Sequence, residues 1–126
     1  MQLLIDTHIL IWFLEGNKLL SKSRRQIIAN PNNDVFVSIA SLWEIAIKIS
    51  VGKLTLANPL ADIIKQIAVE NIEILPIEPE HTLKVSVLPF HHRDPFDRII
   101  IAQSQVKNLP AMTDDSEFSN YGVVIL

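Results

Sequence analysis

Short apolar runs alternate with helix-patterned stretches along this chain, and that alternation restricts its fold more than any other feature. Gln2–Ile5, Val35–Ser38, Glu73–Pro76, Ala111–Thr113 and Val123–Leu126 read as buried strands. Helical patterns separate them over Ile9–Glu15, Ser21–Asn30, Ser41–Val51, Leu60–Asn71, Pro79–Leu88 and Pro95–Lys107. In Leu60–Asn71 the apolar positions Leu60, Ile63, Ile64, Ile67 and Ala68 follow one helical face. Ser21 suits an N-cap, Pro31 stops that helix, Gly52 ends the next, and Asp94 with Pro95 opens the last. The pattern predicts an α/β fold of one domain, with a mostly parallel, about five-stranded sheet covered by helices on both faces.

Ligands of such sheets bind beyond the carboxyl ends of the strands. Asp6, Ser38, Thr113, Asp114 and Asp115 all fall at such ends. Glu44 interrupts the apolar pattern Leu42–Ile47, and Asp97 stands in the first turn of the helix that begins at Pro95. A carboxylate beside a core pattern costs free energy unless it is paired or binds a cation. Asp6, Glu44, Asp97 and Asp115 are therefore expected to gather at one mouth around a shared cation.

Each acid also has a plainer reading. Asp6 suits the N-cap of the short helix after it. Glu44 and Lys48 have the spacing of a solvated helix pair. Asp94 reads as an N-cap, and Asp97, three residues on, suits a capping box and the helix dipole. Asp114 or Asp115 suits the cap of a final short helix, Ser116–Tyr121. Ser38 and Thr113 either bind a water or an acid at the mouth or cap turns. The joint position of the acids at one sheet edge favours the site over the separate caps. His91 and His92, adjacent in a loop and without a helical partner histidine, do not suggest zinc; Phe90–Arg93 reads as a polar loop. His8 is placed at the rim.

Composition excludes several classes. The 126 residues, 48% hydrophobic and 20% charged, suit one domain with a real core. The uncharged stretch Thr7–Leu14 is too short to span a bilayer, and with no basic leader before it and Asp6 just upstream it does not read as a signal peptide. The lack of cysteine excludes disulfides and thiolate chemistry and is compatible with the cytoplasm. A net charge of -3 argues against a broadly basic nucleic-acid binder, although bound divalent metal would cancel several of the acids. With only Gly16, Gly52 and Gly122 there is no phosphate-cradling loop, and there is no G-x-S-x-G.

Four blocks in order resemble a PIN domain. They are Leu4-Ile5-Asp6-Thr7, Ser38-x-x-Ser41-x-Trp43-Glu44-Ile45, Arg93-Asp94-Pro95-Phe96-Asp97-Arg98-x-x-x-Ala102 and Thr113-x-Asp115-x-x-Phe118. Within that family the chain is most similar to the VapC-type ribonuclease toxins of bacterial toxin–antitoxin pairs, over essentially its whole length. The resemblance implies a three-layer α/β/α sandwich, acids that bind Mg²⁺ or Mn²⁺, and endonuclease action on RNA. It carries Asp6, Glu44, Asp97 and Asp115 over as catalytic, metal-binding acids, with Asp114 leaving the last block ambiguous by one residue. It also implies a cognate antitoxin protein and a homodimer.

RNA backbone contacts need positive charge. Lys48, Arg93 and Arg98 are the candidates, with Ser38 and Thr113 as polar neighbours of the substrate. Lys18, Lys22, Arg24 and Arg25 read as a solvated helix face. The apolar run Leu10–Leu14 exceeds what one buried helix face requires, which suggests a partner surface. The rival readings are a receiver-like Mg²⁺-binding signalling domain and an inactive PIN-like binding module. The first lacks its acid pair, because Thr7 and His8 follow Asp6.

Overall fold

In the computed structural model, which describes residues 1–126, the strand β1 (Gln2–Ile5) lies between β2 (Asp34–Ser38) and β4 (Ala111–Met112). β3 (Ile72–Leu75) flanks β2, giving the order β3-β2-β1-β4 with every pair parallel. The register sets Leu3 beside Val35, Ile5 beside Val37 and Ile5 beside Met112. Helices α1 (Thr7–Glu15) and α2 (Lys22–Ala29) join β1 to β2. Helices α3 (Ile39–Ser50) and α4 (Leu60–Val69) join β2 to β3, and α5 (Pro79–Ser86) and α6 (Pro95–Lys107) join β3 to β4. A 3₁₀ segment, Ser116–Tyr121, follows.

Leu3, Leu4 and Ile5 are all 0% exposed, which explains three successive apolar residues in a strand whose side chains alternate. Leu3 and Ile5 join Val35, Val37 and Met112 in a core completed by Ile9, Ile28, Ile45, Ile63 and Ile67. Leu4 and Ala111 point the other way, into a second core with Ile100, Ile101 and Phe118. Each such Leu or Ile contributes about 1.5–3 kcal/mol on burial. Helices thus cover both sheet faces, as the alternation predicts.

The chain winds outward from β1 to β2 and β3, then returns to β4 on the far side of β1. The carboxyl ends of β1 and β4 therefore flank a switch point, where doubly wound sheets bind ligands. This order also differs from the 2-1-3-4-5 order of a receiver domain.

Several boundaries differ from expectation. The fifth strand is reduced to a single bridge from Ala111 to Ile125, because β4 is only two residues long and offers no further partner. α3 starts at Ile39 rather than Ser41, because the Ser38 hydroxyl caps it by accepting from the Ala40 N–H at 3.0 Å. α4 stops at Val69, and Asn71 turns the chain into β3 with φ 56°. The basic stretch is not simply a solvated face. The Arg24 guanidinium pairs with Asp114 and donates to the carbonyls of Thr113 (2.9 Å) and Leu126 (2.6 Å). Arg25 donates to the Phe13 and Asn17 carbonyls at the end of α1, at 3.1 and 3.2 Å. The run Leu10–Leu14 is likewise less free than expected: Leu10 is buried, and Ile11 to Leu14 pack half-buried against the first core. No helix is long and apolar enough to cross a membrane.

Candidate metal centre

Asp6 follows β1 and does two things at once. Its Oδ1 caps α1 by accepting from the Ile9 N–H at 2.9 Å, and its Oδ2 accepts from the Thr113 hydroxyl, just past β4, at 2.6 Å. Thr113 in turn accepts from the Asp115 N–H at 3.0 Å, so one buried hydroxyl ties the two acids across the switch point. Each carboxylate oxygen has a further lone pair, so these bonds leave Asp6 able to bind a cation.

Asp97 occupies the first turn of α6, but it is not half of a capping box. Asp94 caps that helix, accepting from the Phe96 and Asp97 N–H groups at 2.8 and 3.3 Å. The Asp94 N–H, which a box would direct to Asp97, donates instead to His92 Nδ1 at 3.2 Å. The Asp97 carboxylate is left facing the site. His92 Nε2 lies 3.1 Å from Asp97 Oδ2 and 2.6 Å from Asp115 Oδ2. Asp115 also caps the 3₁₀ segment through the Glu117 N–H at 2.9 Å.

Asp6, Asp97, Asp114 and Asp115 line one cleft of about 300 Å³ with His8 and Trp12. Glu44 does not line it. It is 3% exposed behind the cleft, where Thr7 donates to Oε1 at 2.7 Å and Lys48 to Oε2 at 2.7 Å. Thr7 has one hydroxyl proton, which the carboxylate takes, so Ser41 completes the chain from 2.9 Å. The helix pair Glu44–Lys48 exists, then, but its acid is buried rather than solvated.

The PIN domain model matches residues 3–124. The chain belongs to the PIN domain family. Its fold is similar to that of VapBC2 from Rickettsia felis bound to a promoter DNA fragment, at 16% identity and TM-score 0.74, covering 100% of this chain and 98% of that one. A toxin–antitoxin complex from Klebsiella pneumoniae is similar at 20% identity and TM-score 0.65, covering 97% and 95%. VapBC-1 from nontypeable Haemophilus influenzae gives 18% identity and TM-score 0.64, covering 100% and 97%. At these identities the likeness is one of fold. No curated protein matches the chain in sequence.

The electrostatics of this PIN domain fit a cation. Burial, followed by the charge of Asp94, pushes the Asp97 carboxyl from 3.8 to about 7; His92 opposes the rise, and Glu44 and Asp6 add to it. Burial also raises Asp6, against the hydrogen bonds from Thr113 and the Ile9 N–H. No Lys or Arg pairs with Asp6, Asp97 or Asp115, since Lys48 pairs with Glu44 and Arg24 with Asp114. One ligand atom from each of His92, Asp97 and Asp115 lies within 4.8 Å of the others. A mouth of carboxylate oxygens suits a hard divalent ion.

His92 is the residue that sequence reasoning missed. Nothing in a pair of loop histidines marks one as inward; only the short spacing to Asp97 was available as a signal. Burial opposes its charged form, but the bond to Asp115 and the charges of Asp97, Asp115 and Asp94 outweigh that and raise its pKa. Of the expected substrate contacts, Ser38 and Thr113 take the other roles expected of them, a cap and a bond to an acid, and Arg98 needs correction. Ser38 and Thr113 are buried and hydrogen-bonded within the fold. Arg98 is 6% exposed, with its guanidinium donating to the carbonyls of Pro89, His92, Val85 and Leu88 at 3.0–3.3 Å. Arg93 is exposed, and Lys48 partly so.

Proposed function

We propose that this chain is a Mg²⁺- or Mn²⁺-dependent endoribonuclease and the toxin of a toxin–antitoxin pair. The observation that carries the reading is the deficit of Lys and Arg partners at the cleft: Asp6, Asp97 and Asp115 converge there, and only the His92 imidazole meets Asp97 and Asp115. In a PIN domain with the fold of the toxin–antitoxin structures above, that deficit favours a divalent ion over a structural role.

Asp6, Asp97 and Asp115 would hold the ion. Glu44, one layer behind, adds negative field and is held by Thr7 and Lys48. Thr113 orients Asp6 and Asp115 together. Bound there, a divalent ion supplies an activated water and neutralises charge on a leaving oxygen. The exposed Arg93 and the partly exposed Lys48 would meet phosphate oxygens. No side-chain nucleophile is required.

The same deficit suits an inhibitor. A guanidinium from an antitoxin would match the paired carboxylates and compete with metal and RNA. A second copy of the chain belongs to the same proposal, as does a cytoplasmic location. Two measurements test it. Purified chain with Mn²⁺ should cleave single-stranded RNA, and Asp6→Asn should fold and not cleave. Expression alone should slow growth, and co-expression of the neighbouring small gene should restore it. A folded wild-type chain that leaves total RNA intact with either metal would turn the reading into that of an inactive binding module.

A further inference from the structure

We infer that His92 is a positioning residue that donates Nε2–H to Asp97 and Asp115 and holds their carboxylates at the metal site without itself binding the ion. The inference rests on the metal-dependent reading of the cleft.

Both ring nitrogens point to this role. Nδ1 faces the Asp94 backbone N–H at 3.2 Å, a group that can only donate, so Nδ1 is the acceptor. Nε2 faces Asp115 Oδ2 at 2.6 Å and Asp97 Oδ2 at 3.1 Å, so Nε2 carries the hydrogen. It carries that hydrogen in the charged imidazole as well. A histidine that binds metal through Nε2 needs that nitrogen bare and passes its other N–H to an acceptor. Here the wiring is the reverse.

The position is also built. The His92 N–H donates to the Tyr121 hydroxyl at 2.8 Å, and its carbonyl accepts from Arg98 at 3.1 Å. Tyr121 and Arg98 both reach the Pro89 carbonyl of the same loop, at 2.7 and 3.0 Å. The ring stands edge-on to Phe118 with centroids 6.5 Å apart. Every polar atom of His92 therefore has a partner. The arrangement has two effects on the acids. By taking the Asp94 N–H it frees Asp97 from a capping box. By bridging the two Oδ2 atoms it brings α6 and the 3₁₀ segment, which carry acids that repel, to one point.

Imidazole ¹H–¹⁵N correlation spectra of the full chain test the wiring directly, with His92 assigned by comparison with His92→Gln. Nε2 should carry a proton without metal and keep it at saturating Mg²⁺. Loss of the Nε2 proton on adding Mg²⁺, with Nδ1 gaining one, would make His92 a ligand and overturn the inference. Calorimetry with Mn²⁺ gives the second readout. His92→Ala should weaken binding about 10- to 100-fold, the usual loss when a ligand's hydrogen-bond partner is removed. His92→Gln, which keeps an N–H donor, should stay within about threefold of wild type. Equal binding by the Ala variant, or a Gln variant as weak as Ala, would refute the clamp. Neither readout uses RNA. A chain that binds Mn²⁺ through the clamp yet cuts nothing would sink only the nuclease reading, whereas a wild-type chain that binds no Mn²⁺ would sink the metal reading and the clamp together.

Discussion

Replacing Asp97 by Asn is expected to stabilise the metal-free protein in mildly alkaline solution and to abolish its response to Mg²⁺. Burial first, and then Asp94, hold the Asp97 carboxyl at about 7 rather than 3.8. An acid whose pKa is higher in the fold than in the unfolded chain favours folding while protonated. That contribution is fully present below about pH 4 and is lost as pH rises through about 7. At about 1.4 kcal/mol per pH unit the ceiling is ~4 kcal/mol. The Asp97 side chain is 21% exposed, so water and salt screen part of it. About 2 kcal/mol is the figure to test after that discount. Asn keeps the shape without the charge, which should raise Tm by about 7 °C in a chain of this size.

The assay is thermal melting by circular dichroism of both proteins in chelator, from about pH 4 to about pH 8, repeated with Mg²⁺. The two should melt together at the acid end and separate as pH rises. Mg²⁺ should then raise the wild-type Tm at alkaline pH and leave Asp97→Asn nearly unmoved. A gap between the two proteins that is the same at both ends of the range would refute the electrostatic account of Asp97. A wild-type Tm indifferent to Mg²⁺ would remove the cation from the site.

Three further variants separate the roles assigned above, each read by melting with and without Mg²⁺. Thr113→Val keeps the shape but leaves Asp6 and the Asp115 N–H without their shared partner; a loss of about 1–3 kcal/mol and a weaker Mg²⁺ response are expected. Arg98→Lys cannot reach all four carbonyls with one ammonium, so Tm should fall by the equivalent of about 2–4 kcal/mol. Asp94→Asn should cost less than about 1 kcal/mol, because Asn also caps helices; a larger loss, with a lost metal response, would move the key acid of this block from Asp97 to Asp94.

The sheet was legible in the sequence because burial on both faces leaves a direct trace. Leu3, Leu4 and Ile5 must all be apolar when the two cores take alternate residues. The strand-end position of Asp6 and Asp115 was legible for the same reason. What was not legible depends on contacts that no local pattern encodes. Asp97 looked equally like a capping acid until the fold gave the Asp94 N–H to His92. Arg98 looked like a cation for RNA, because nothing in the helix pattern shows that the upstream loop folds back over its guanidinium. The last strand was overestimated because Val123–Leu126 has strand composition, while its pairing depends on the length of β4.

The placing of the cations supports the proposed reading of the acids as a ligand site. Arg24, Lys48 and Arg98 all come close to the mouth, and none of them pairs with an acid of the Asp6–Asp97–Asp115 set. Arg24 goes to Asp114 and to two carbonyls, Lys48 to Glu44, and Arg98 to the loop that carries His92. A cluster that served stability alone would have used one of these side chains, since leaving Asp97 at about 7 weakens the fold at neutral pH. Thr113 joins Asp6 to Asp115, and His92 bridges Asp97 and Asp115 as a donor. The chain therefore keeps its negative charge concentrated at the switch point, where on the proposed function it would stabilise a bound cation more than it stabilises the fold. That exchange of stability for a prepared site is the signature expected of a functional cleft rather than of a packing accident.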